Sequence, residues 1–258
     1  MNNTDSDRLD WFAIMLDKCE GRVKFAGLSA IDHIRKSYEL KDSDRHMAVF
    51  RSICAEEEAA TSLIASIKIQ GYPQSDKLHF YNHASKAGVI VFISGVLDWV
   101  DENFQRKGFP FRKPQLRTTN DPGRPAIEII LPFKAYEYAV HPRPPLHLVT
   151  QGEQSLQEMI GHTVRVRLKK KYVQEVHGEI LRKANLRNRL LYASDDAVPV
   201  GIKCCEAYLQ NQLGIVSALL TTVALVDPWR KPNYPLSGIV ESAVLELIRV
   251  MTCLLYTS

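Results

Sequence analysis

The stretch TVRVRLKKKYVQEVHGEILRKANLRNRL, residues 163–190, carries two incompatible patterns. Its opening, TVRVRL at 163–168, alternates apolar and charged residues as a half-buried strand does. Yet Ile160, Val164, Leu168, Tyr172, Val176, Ile180 and Ala184 recur every fourth position, which is one face of a helix. The fourfold repeat persists far beyond the six residues of alternation. It therefore predicts a single helical rod over about 153–190, and with it an all-α protein.

Outward from that stretch the same periodicity recurs. Residues 1–7 are polar and predict no structure, and Trp11, Phe12, Met15, Leu16 and Cys19 predict a helix over 8–20. Phe25, Leu28, Ile31, Ile34 and Tyr38 predict a second. The clearest helix spans 45–70, with Phe50, Ile53, Cys54, Ala60, Leu63, Ile64 and Ile67 as its stripe and Gly71-Tyr72-Pro73 as its stop. Another runs over 77–103. After the rod, SDDAVP at 194–199 predicts a break. Helices over 200–226 and from Ser237 onward complete the pattern.

Composition shifts at 109–150, which holds eight of the thirteen prolines. That density forbids a long helix; AIEIIL at 126–131 is the one strand-like run. The predicted architecture is two helical bundle lobes, 8–108 and 151–252, joined by an irregular proline-rich connector over 109–150 with a short strand. The final TCLLYTS resembles a translated sequencing adapter, so 253–258 are expected to carry no biological signal and the native C-terminus to be missing.

The start of the chain is polar and acidic, unlike a signal peptide. The most apolar run, LGIVSALLTTVALV at 213–226, is shorter than the ~20 residues of a membrane span, and predicts a buried helix and no membrane association. Five cysteines, Cys19, Cys54, Cys204, Cys205 and Cys253, are odd in number and lack metal spacing, as in a reduced cytoplasmic protein. Phosphate-loop, dinucleotide and nucleophile-elbow motifs are absent, so no cofactor is expected.

Net charge is only +4, but 162–189 alone carries +7. Arg165, Arg167, Lys169, Lys170, Lys171, Arg182 and Lys183 form a strip whose natural partner is RNA or another polyanion. The competing reading is a solvated helix face with acidic neighbours. Beyond the strip, Arg187, Asn188 and Tyr192 continue the inward face. Arg187 suits a forked phosphate contact, and Tyr192 suits base stacking or support of a leaving oxygen; alternatively Arg187 pairs with Asp195 or Asp196. On the 45–70 helix, Glu57 lies on the apolar stripe, where a carboxylate needs a partner. His83 on the following helix is the candidate, as a clasp between helices or as part of a site. His79, His83 and Glu57 together are a weaker candidate for a divalent metal, without HExxH spacing; the preferred assignment has no metal.

CAEEEAATSLI (54–64), the link ending in GYP, and HFYNHASK (79–86) resemble the helical frame of HEPN-type domains, including abortive-infection relatives, over about residues 25–100. RNRLLYASDD adds to it: Arg187 and Asn188 match the first two positions of the HEPN ribonuclease motif, and Tyr192 stands in the window where that motif places histidine. The resemblance implies a helical bundle related to defence or RNA handling, often a homodimer, that binds RNA or another polyanion; Arg187, Asn188 and Tyr192 are its candidate catalytic residues as a degenerate ribonuclease site, in which the missing histidine removes the motif's acid or base. The alternative it implies is a noncatalytic interaction module, a scaffold or sensor of a multi-protein system.

Overall fold

The computed structural model describes residues 1–106, 115–118, 125–133, 136–140, 155–185, 206–226 and 236–252. Its body is helical, as the periodicity predicts: α1 (Asn3–Asp17), α2 (Gly21–Leu40), α3 (Arg45–Ile69), a 3-10 turn (Ser75–Lys77), α4 (His83–Arg106), α5 (Leu156–Leu168), α6 (Val173–Ala184), α7 (Glu206–Val226) and α8 (Gly238–Thr252). TVRVRL is helix, the C-terminal half of α5.

Capping explains the boundaries. The Asn2 side chain accepts from the Asp5 N–H at 2.8 Å, so α1 begins at Asn3 where no structure was predicted. Asp5 is itself buried, its Oδ2 accepting from Gln210 of α7 at 3.2 Å, which ties this end of the chain down. Asp44 caps α3 through the Met47 N–H at 3.0 Å. Gly71, at φ +70, ends that helix in the left-handed region glycine tolerates. Asn82 caps α4 by accepting from the N–H groups of Ala84 and Ser85, at 2.8 and 3.2 Å.

The predicted 153–190 rod is two helices. Lys169 takes φ 54 and closes α5, with its N–H donating to the Val166 carbonyl and that of Lys170 to the Arg165 carbonyl. The Glu175 carboxylate then accepts from the Lys171 and Tyr172 N–H groups at 2.8 and 2.9 Å, starting α6. The fourfold repeat crosses the break because each helix buries the same kind of stripe: Ile160 and Val164 on one side, Val176 and Ile180 on the other. Tyr172, counted in that stripe, is exposed.

α3 is the hub, packed against α2, α4 and α7. α4 in turn packs against α5, α6 and α8. Among the described residues, buried side chains from Leu9 to Trp99 and from Leu156 to Val250 form one hydrophobic cluster. α7 is long and apolar enough to cross a membrane, but 67% of its most apolar window is buried inside the protein.

Within 109–150 the described residues form a three-stranded antiparallel meander, β1 (Gln115–Thr118), β2 (Pro125–Phe133) and β3 (Tyr136–Val140), in the order β1-β2-β3. Register pairs Leu116 with Ile127 and Ile130 with Ala139. The predicted strand at 126–131 is the middle of β2. Its flanking partners were not expected, since short strands among prolines leave little periodicity. Pro125 stands first in β2 and Pro132 next to last, where loss of an N–H disrupts the ladder least.

Candidate functional site

Glu56, Glu57 and Glu58 lie on successive faces of α3, and the stripe puts Glu57 inward. The structure instead buries Glu56, with 4% of its surface exposed. The reason is that α3 is covered on three sides, with Ala55, Ala59, Ala60, Leu63 and Ile64 all fully buried, so a one-sided stripe does not identify its interior. Glu56 Oε1 lies 3.5 Å from Lys183 Nζ on α6, an ion contact and not a hydrogen bond, because that oxygen has no hydrogen-bond partner. Burial pushes the Glu56 carboxyl above the ordinary glutamate range; Lys183 opposes the shift, and neighbouring Glu57 adds to it.

Glu57 does meet His83. Its Oε1 is 2.9 Å from His83 Nδ1, and its Oε2 is 3.9 Å from the ammonium of Lys86, a buried lysine one turn further along α4. The Glu57 side chain is 13% exposed and that of His83 41%, so the pair sits at a rim and not in the interior. With Nδ1 engaged, His83 Nε2 is the ring nitrogen left for other contacts. Two carboxylates, two ammoniums and an imidazole from α3, α4 and α6 thus converge at the N-terminal end of α4.

His79 is not part of this cluster. α4 begins at His83, so the four-residue helical spacing that a metal site would use is not formed. His79 lies in the link before the helix, its N–H donating to Ser85 Oγ. Among the described residues no three His, Cys, Asp or Glu side chains are grouped to hold a metal ion.

The basic strip divides in the same way. Arg165 is 3.9 Å from Glu246, Arg167 is 2.5 Å from Asp98, Arg182 pairs with Glu179, and Lys183 meets Glu56. The Arg182 guanidinium lowers the Glu179 carboxyl. Glu246 is almost wholly buried and is also held by Arg249 and Gln157. Lys169, Lys170 and Lys171 form no ion pair among the described residues. They occupy the turn between α5 and α6, with the Lys171 ammonium 5.3 Å from the exposed Tyr172 ring.

Arg187, Asn188 and Tyr192 lie outside the described residues, directly after α6 and its cap Asn185. Asp195 and Asp196, their alternative partners, lie there too. The sequence reading did not single out Glu56 or Lys86. Their signals were present: a triple-glutamate run in a helix of alanines, and a lysine one turn from His83. Comparison with protein-family models, with curated proteins and with solved structures finds no match to this chain.

Proposed function

We propose that the protein is a HEPN-like helical protein that binds RNA or another polyanion, and that the Lys169–Lys171 turn is its contact with the phosphate backbone. One observation carries this reading: among the described residues these three adjacent cations are the part of the basic strip without a direct ion pair, the nearby Glu175 carboxylate being taken up by the Lys171 and Tyr172 N–H groups. The backbone of the turn is fixed at both ends by helix caps. Its reach is shorter than a seven-residue strip.

Salt dependence tests this. Three phosphate contacts on a single strand give a slope of log K against log salt of about −2, whereas seven give about −5. The turn is expected to contribute the shallower slope, and replacing Lys169, Lys170 and Lys171 together by alanine removes that contribution. Salt dependence unchanged by the triple replacement sinks the reading.

Ribonuclease activity in this proposal depends on Arg187, Asn188 and Tyr192, with Tyr192 supplying no imidazole for acid–base work. Incubating labelled RNA with the protein and with Arg187→Ala tests it; cleavage is expected to be slow and lost in the variant. The cytoplasmic, defence-associated homodimer belongs to the same proposal, and light scattering after size exclusion checks the dimer. The noncatalytic interaction module is favoured by the ion pairs that turn Arg165, Arg167 and Lys183 toward other helices, since they make part of the strip a structural device.

A further inference from the structure

The link before α4 holds a feature that the basic strip does not. Residues 78–82 are fixed at both ends. Leu78 is buried, the Asn82 N–H donates to the His79 carbonyl at 3.0 Å, and the Asn82 side chain caps α4. Between these anchors Tyr81 projects outward while Phe80 is partly buried against the core, the two ring centroids 5.3 Å apart and edge to face. The Arg22 guanidinium of α2 lies 4.4 Å from the Phe80 centroid and 5.2 Å from that of Tyr81, and its Nη2 donates to the Tyr81 hydroxyl at 3.1 Å. Lys68 of α3 approaches Phe80 at 5.5 Å.

Tyr81 is 76% exposed, and Phe25, one turn from Arg22 on α2, is 67% exposed. Single exposed rings are ordinary; what sets these apart is the cations gathered beside them. Arg22, Lys68 and Lys77 form no ion pair among the described residues. Lys68 donates to the Asp76 backbone carbonyl and Lys77 to Gln74 Oε1. Glu20 and Asp76, acids adjacent in sequence, pair with none of the three. The surface therefore combines exposed π faces, fixed cations and a preorganised backbone.

We infer that this surface is a stacking platform for single-stranded nucleic acid, with bases placed on Tyr81 and Phe25 and backbone phosphates held by Arg22, Lys68 and Lys77. Stacking with cationic support is how strands without paired bases are gripped. A duplex hides its base faces and gains nothing from the rings. An apolar protein partner would strip water from three cations without repaying them.

The inference takes its ligand class from the polyanion reading but not its site. α5 runs alongside α4 with Val164 at Gly95 and Arg167 at Asp98, so the Lys169–Lys171 turn lies toward the far end of α4 from Tyr81. Asp98 is fifteen residues along α4 from His83, roughly 22 Å.

Fluorescence anisotropy at ~0.15 M salt, with a short oligouridine and with an RNA duplex, tests it on the full chain. Three proteins are compared with wild type: Tyr81→Ala with Phe25→Ala, Tyr81→Phe, and the triple Lys169, Lys170, Lys171 to alanine. Tyr81 and Phe25 are exposed, so the double variant is expected to keep the wild-type melting temperature. Its affinity for the single strand is expected to fall about tenfold or more, with duplex affinity unchanged and Tyr81→Phe retaining single-strand binding. Equal loss on both nucleic acids overturns the inference, as does unchanged single-strand binding. If only the lysine variant loses affinity, the turn reading stands and the platform falls; if only the ring variant does, the reverse holds. Binding of phosphatidylserine vesicles that depends on Tyr81 and Phe25, with no RNA binding, overturns both in favour of an anionic membrane.

Discussion

Glu56 shows how a single side chain links packing to solution conditions. Its carboxyl is enclosed, and burial raises it above the ordinary range. A raised acid binds its proton more tightly in the folded chain than in the unfolded one. Its contribution to stability is therefore fully present in acid, below the ordinary glutamate range, and is lost as pH rises through the raised value. Glu56→Gln removes the titration and keeps the shape. Melting temperatures across pH are expected to show the variant gaining on wild type as pH increases, with the two converging in acid; parallel curves would contradict this account. Gly161 makes a second residue-scale case. A Cβ there would overlap Glu246 Oε1 and stand 2.8 Å from its Cδ, and Glu246 is held by three neighbouring side chains. Gly161→Ala is expected to cost about 1–3 kcal/mol by urea denaturation. Neither residue's role was legible beforehand. Inwardness on a helix covered from three sides has no periodic signature, and a glycine mid-helix does not announce which neighbour needs its space.

At the scale of elements, the sequence pattern predicted well where one helix buries one stripe. α3 was expected over 45–70 and is observed at Arg45–Ile69. The pattern failed at α5 and α6, since the break is encoded in caps and not in a breaker residue. Lys169 sits in the left-handed region without the help of glycine, a conformation that costs an ordinary residue roughly 1 kcal/mol. Lys169→Gly is expected to stabilise the protein by about that much, measured by denaturant midpoint, and Lys169→Val to destabilise it. A stabilising valine would mean the turn is not left-handed. The clasp between Glu57 and His83 was legible because both residues sat at or beside an apolar stripe. The platform of Arg22, Phe80 and Tyr81 was not, because it joins residues far apart in sequence through a link with no period.

For the whole molecule, the decisive fact is the continuous core shared by helices before and after the sheet insertion. Two separate bundles would melt independently; a common core makes unfolding cooperative. Near-ultraviolet and far-ultraviolet signals are expected to change together with denaturant. Leu220→Ala, in the fully buried part of α7, is expected to cost about 2–5 kcal/mol while shifting both signals equally. Two resolved transitions would instead favour two separately folding lobes.

The position of α7 also has a bearing on synthesis. α3 leaves the ribosome early, but the helix that covers one of its flanks is translated some 157 residues later. At ordinary elongation rates that delay is roughly 10–30 s. Throughout it the nascent chain displays a sticky aliphatic surface whose lawful occupant does not yet exist. Slow translation ahead of residue 206 would prolong that exposure, and a chaperone that shields it would raise the yield of folded protein.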